Sequence, residues 1–204
     1  MARGKYIVIE GLSSAEKTSV VERLVKELQA QQITVRLIEG WEGYGELTVQ
    51  TLLRVAEDPR YHKSPATAVL LDDATFAESL ETIQNSLDAG VTCVVDRSYL
   101  SILVANYYGK ARSFDYGKVN ELLNFASAAV QPDLMVVIDT PANNLTANEA
   151  AEKTSRAEQL RASYLWEAKQ RDLPVIYATG NQEEVFTHVW QQVAPVVAQR
   201  TSRW

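Results

Sequence analysis

Tyr6-Ile7-Val8-Ile9-Glu10-Gly11, running into Leu12-Ser13-Ser14-Ala15-Glu16-Lys17-Thr18, is the stretch on which the fold turns. An apolar, β-branched run of this length predicts a strand buried on both faces. Gly11 ends it, and a helical period begins at once and lasts to about residue 30. A buried strand that feeds directly into a helix opens a parallel β-α-β unit.

Working outward, the same alternation recurs. Further strands are expected at residues 34–38, 91–96, 134–139 and 175–178. Helices are expected at 46–57, 66–89, 99–107, 118–129, much of 143–171, and 183–198. Gly90 suits the left-handed residue that follows a helix. Strands separated by helices predict an α/β fold, a five-stranded parallel sheet with helices on both faces. At 204 residues without a linker or repeat, residues 1–204 read as one domain.

Composition removes several function classes. Hydrophobic residues at 46% and charged residues at 23% are ordinary for a soluble globular protein. A net charge of −6 argues against general affinity for nucleic acid or anionic membranes. No apolar run approaches the roughly 18 residues of a membrane span, and no secretory leader precedes the first strand, so a cytoplasmic protein is expected. The single cysteine, Cys93, rules out an internal disulfide and reads as a buried strand residue. His62 and His188 have no partners at metal-ligand spacing, and Trp166 and Trp190 read as packing residues.

In parallel sheets ligands bind beyond the carboxyl ends of the strands, which here selects residues 11–18, 39–44, 96–101 and 139–144. The first of these segments resembles the phosphate loop, G-x-x-x-x-G-K-[ST], in Gly11, Lys17 and Thr18. There, backbone N–H groups and the lysine surround phosphates and the hydroxyl holds Mg²⁺. Glu16 stands where the second glycine belongs. Its Cβ narrows the backbone approach, and its carboxylate repels a phosphate by about 4 kcal/mol for unit charges at 4 Å in an effective dielectric of 20. A second reading needs no phosphate. Ser13-x-x-Glu16 is a capping box, with Ser13 as N-cap and Glu16 reaching back from the third helical position.

Arg3-Gly4-Lys5-Tyr6-Ile7-Val8-Ile9-Glu10-Gly11-Leu12 resembles the start of a thymidylate kinase. Asp96-Arg97-Ser98-Tyr99-Leu100-Ser101, Gln131-Pro132-Asp133-Leu134 and Asp139-Thr140-Pro141 extend the resemblance over nearly the whole chain. The family implies a P-loop kinase architecture and transfer of the γ-phosphoryl of ATP, with Mg²⁺, to a nucleoside monophosphate, dTMP in the family. It implies that Lys17 stabilises transferring charge, that Thr18 and Asp96 lie at Mg²⁺, and that Arg97 holds the acceptor phosphate. It also implies a homodimer paired through helices, for which 66–89 and the helix after Asp96 are the candidate surfaces. A lid-like segment is expected at about 142–157.

The departures fall on the family's functional positions. Ser13 replaces the acidic residue of the loop, and Glu39-Gly40-Trp41 replaces an E-P-G turn. Asp72 and Phe76 stand where an aromatic and an arginine recognise the base, and Ala105-Asn106 replaces a Tyr-Gln pair. Residues 142–148 contain no arginine. These changes predict an impaired or inactive kinase, either a member that lost its substrate or a scaffold with a redesigned pocket. Its ligand would be a nucleotide or another small molecule. A further alternative makes Glu16, Asp72 or Asp73 a general base beside Trp41, Tyr44 and Phe76. Set against it is the reading that Asp72 and Asp73 are solvated helix residues.

Overall fold

The structure is a computed structural model that describes residues 2–39, 47–109, 114–141, 151–179 and 181–199, excepting the side chains of Ala15 and residues 151–154. The chain runs β1 (Tyr6–Gly11), α1 (Ala15–Ala30), β2 (Val35–Glu39), α2 (Leu47–Glu57), α3 (Pro65–Asp88) and β3 (Thr92–Asp96). It continues through α4 (Tyr99–Leu103), a π-helical turn (Val104–Tyr108), α5 (Tyr116–Ser127), β4 (Leu134–Asp139), α6 (Ala151–Gln170), β5 (Val175–Tyr177) and α7 (Gln182–Ala198). The five strands order as β2-β3-β1-β4-β5, and every pairing is parallel. The expected α/β sheet is therefore present, with strand and helix ends displaced by one or two residues. The clearest difference is at 99–107, where one expected helix is a short α-helix passing into a π-helical turn.

Two cores cover the two faces of the sheet. Ile7 and Ile9 of β1 point to one face, with Val20, Leu24 and Leu28 of α1 and Val185, Val189 and Val193 of α7. Tyr6 and Val8 point to the other, with Phe76, Leu80 and Ile83 of α3, Leu100 of α4, Leu123 of α5 and Tyr164 of α6. Alternate residues of one strand thus serve opposite cores, which is why β1 reads as continuously apolar.

Local chemistry sets the helix starts. Ser64 caps α3, with Pro65 in the first helical position, where its missing N–H is harmless. Asn181 and Glu184 form a reciprocal capping box on α7. Gly90 has φ +80°, the left-handed conformation expected of it after α3. Gly11, at φ +128°, is a glycine for a packing reason as well: a Cβ there would lie 2.3 Å from the Ile138 carbonyl oxygen of β4. Cys93 is fully buried, and burial pushes its thiol up.

The helix after β1 covers one face and the helix after the neighbouring strand β3 covers the other. That reversal opens a crevice above the ends of β1 and β3, the place where open parallel sheets bind ligands.

Candidate functional site

The crevice brings Lys17 and Asp96 together. Lys17, at the start of α1, is only 2% exposed, and its Nζ is ion-paired to Asp96 Oδ1 at the end of β3. Burial pushes the lysine below its usual range, and the Asp96 carboxylate opposes that shift. Arg97, the next residue, is held at φ +79° with its N–H donating to the Ile9 carbonyl at 3.0 Å. A left-handed arginine is uncommon and is imposed by β1.

Beneath this pair lies Glu10, fully buried at the end of β1. One oxygen accepts from the backbone N–H groups of Ser98 (2.7 Å) and Ser101 (3.2 Å), and the other accepts the Ser101 hydroxyl. Burial nevertheless dominates and pushes Glu10 up to about 7, partly offset by those hydrogen bonds and by Arg97. Ser101 Oγ also lies 2.9 Å from the Tyr164 hydroxyl of α6, and Ser98 Oγ lies 3.1 Å from the Tyr6 hydroxyl. Burial, followed by the nearby Glu10 charge, pushes the Tyr164 phenol up. This network locks the segment after β3 onto β1.

The first turn of α1 is capped, but not by the expected residue. Ser14, in an extended conformation, is the N-cap, and its Oγ accepts from the Lys17 N–H at 3.2 Å. The helix therefore starts at Ala15 and Glu16 is its second residue, so the Ser13-x-x-Glu16 capping box does not form. Ser13 is exposed. Two adjacent serines are equivalent in sequence; Ser14 is selected by a second contact, 3.2 Å to the Thr140 hydroxyl beyond β4. Glu16 Oε2 is shielded from solvent and meets no hydrogen-bond partner among the described residues. The positive end of α1 favours its charge. Thr18 is exposed, and its hydroxyl donates to the Ser14 carbonyl at 3.3 Å.

The remaining predicted residues differ in burial. Phe76 is 1% exposed and packs in the core. Asp73 is buried and Asp72 half-buried, so the reading of both as solvated residues fails for Asp73. Its position, four residues after Val69 and three before Phe76, puts it on the buried stripe of α3. Asn106 is fully buried in the π-helical turn, and Glu39 is exposed at the end of β2. Trp41, Tyr44, Asn143 and Asn144 lie outside the described residues. His62 and His188 are exposed, and no group of His, Cys, Asp or Glu among the described residues could hold a metal.

Sequence reasoning missed Glu10, Tyr164 and Arg161. Arg161 of α6 clamps the buried Asp139 at the end of β4 with two bonds, 2.5 and 2.8 Å, and both its carboxylate neighbours push the guanidinium up. A carboxylate closing an apolar strand, as at Glu10 and Asp139, was the available signal. Its partners on α6 are distant in sequence and carried none.

As a phosphate and Mg²⁺ site the residues fit in part. Thr18 retains oxygen lone pairs for a cation. Lys17, however, is spent on Asp96, its N–H is taken by Ser14, and a carboxylate replaces the second glycine.

A family model described as thymidylate kinase matches residues 9–189. The thymidylate kinase of Carboxydothermus hydrogenoformans is 28% identical over 199 residues, covering 92% of this chain and 95% of that protein. That of Nitrosomonas europaea is 31% identical over 182 residues, covering 83% and 82%. That of Legionella pneumophila strain Corby is 31% identical over 160 residues, covering 76% and 74%.

Proposed function

The chain belongs to the thymidylate kinase family, and we propose that it is a nucleoside monophosphate kinase scaffold whose phosphoryl transfer is impaired or silent. The observation that carries this reading is Lys17, buried and paired with Asp96 beside Glu16. To take ATP, Lys17 must leave Asp96, Ser14 must release the Lys17 N–H, and Glu16 must turn its charge away from the phosphates. Each step opposes binding, and the last acts at contact range. The acceptor side is altered too: Phe76 is a core residue, and no arginine stands there to recognise a base edge. An unmade bond to that edge weakens binding by about 1–3 kcal/mol, so calorimetry with dTMP should show weak binding or none.

The experiment is a melt with and without Mg-ATP, paired with a phosphoryl-transfer assay on dTMP. A ligand at about 100 times its Kd adds roughly 2.7 kcal/mol to stability. The wild type should show no such shift at millimolar Mg-ATP, whereas Glu16→Gly should show one. Transfer by the wild type at about 1 s⁻¹ or faster, an ordinary enzyme rate, would overturn the proposal.

Glu16 Oε2, shielded and without a partner among the described residues, favours a second reading in which this carboxylate is a general base for a different small molecule. Loss of any such turnover in Glu16→Gln, with binding kept, separates that reading from a mere scaffold. For assembly, we place a homodimer contact on α3, where Leu70 is 55% exposed. The helix after Asp96 is unsuited, because Leu100, Ser101, Ile102 and Leu103 are all buried. Light scattering that gives a monomer mass at micromolar concentration would refute the dimer. No helix among the described residues is long and apolar enough to cross a membrane.

A further inference from the structure

Beside α6 lies an open cleft of about 760 Å³ that shares no described lining residue with the Lys17 cluster. Its size is that of a small-molecule pocket. Tyr107 and Tyr108 enter from the π-helical turn, Tyr116 from the start of α5, and Gln159, Ser163 and Trp166 from one stripe of α6. The rings of Tyr107, Tyr108, Trp166 and Tyr116 form a closed circuit of edge contacts, with centroids 4.8 to 6.4 Å apart. The circuit is too tight to enclose a cation between its members, so it acts as a rigid aromatic wall. Trp166 was expected to be packed, yet it is 47% exposed.

That wall is fixed from behind. Glu167, with no exposure, accepts the hydroxyls of Tyr108 at 2.7 Å and Tyr116 at 3.2 Å and is ion-paired to Arg171. Two tyrosine hydroxyls are thereby turned away from the cleft and the charge behind it is cancelled. The described lining carries no charged residue. Gln159 supplies the polar rim: its side-chain amide offers a donor and an acceptor together, as the edge of an adenine requires. π-Helical turns recur at functional sites, and an aromatic face with one amide is the equipment that reads a single base.

We propose that this cleft is a second ligand site, for an uncharged purine base or nucleoside stacked on Trp166 and held at its edge by Gln159. The neutrality of the described lining disfavours a nucleotide's phosphates, and the protein's net charge disfavours a nucleic acid strand. Calorimetry with adenosine as the probe tests this on the full chain, with Lys17→Ala separating the cleft from the phosphate loop. Adenosine should bind with a Kd of roughly 0.1–1 mM. Trp166→Ala should raise that Kd about tenfold, and Gln159→Leu should weaken adenosine while leaving indole unchanged. Lys17→Ala should leave the adenosine Kd unchanged. Absence of saturable binding, indifference to Trp166→Ala, equal binding of indole and adenosine by the wild type, or loss in Lys17→Ala would each overturn the proposal. None of those results measures phosphoryl transfer, which the Mg-ATP melt and the transfer assay test separately.

Discussion

Two buried ion pairs in this chain look alike on paper and differ in what surrounds them. Arg171–Glu167 ties α6 to the start of α5: Glu167 receives two tyrosine hydroxyls besides the guanidinium, and Arg171 also reaches Asn120 Oδ1 at 2.9 Å. Lys17–Asp96 sits where the sheet opens. Asp96 keeps 15% of its side chain in solvent, and Glu16, the residue before Lys17, has a shielded oxygen without a partner among the described residues. A densely connected pair organises structure, because most of its lone pairs and protons are engaged. A pair with spare capacity beside it can be exchanged for a ligand.

The largest expected effect breaks the connected pair. Glu167→Ala should cost about 3–5 kcal/mol, since it strands Arg171 and two phenols in a buried place, whereas the double change Glu167→Leu, Arg171→Met should cost far less. Denaturant unfolding of the three proteins measures the difference. Equal losses in the single and double variants would show that packing, and not the charge network, carries α6.

The next effect concerns Glu10, which lies under the open pair. Its folded pKa is raised to about 7, so between pH 4.5 and 7 the folded state binds more protons than the unfolded one. The stability this group contributes is present in full below pH 4.5 and declines as pH rises through 7. The decline amounts to about 3 kcal/mol. Glu10→Gln should remove that slope, measured as melting temperature against pH; an unchanged slope would assign it to other groups.

Lys17→Met tests the open pair itself. The lysine gains from Asp96 but is itself desolvated, and Asp96 has solvent to turn to. A loss of about 1 kcal/mol is expected, well below that of Glu167→Ala. Were the two losses equal, the contrast between the pairs would fail.

The smallest effect separates the two serines. Ser14→Ala should cost about 1 kcal/mol through its lost cap, and Ser13→Ala less than about 0.5 kcal/mol. Reversed values would return the cap to Ser13 and the capping box to Glu16.

Much of the architecture was legible because its signals are local. β1 is a continuous apolar run, Gly90 follows a helix where a left-handed residue is needed, and Lys17 and Thr18 carry the spacing of a phosphate loop. Parts of the site were not legible, because they depend on contacts between residues far apart in sequence. Phe76 reads equally as a pocket aromatic or a core residue until α3 is docked on the sheet. Asp73 is exposed or buried according to which stripe of α3 meets the core.

By itself the sequence determined the order of strands and helices, the family, and the replacement of the loop's second glycine by Glu16. These follow from periodicity, residue type and spacing along the chain. Only the tertiary structure decided that Ser14 caps α1, that Lys17 is turned onto Asp96, that Glu10 is held near neutrality, and that four aromatic rings line a cleft beside α6. Each of those depends on which distant element lies alongside: Thr140 next to Ser14, β3 beside β1, and α6 against the π-helical turn. Burial and electrostatic environment belong to the packed assembly, and no stretch of the chain carries them alone.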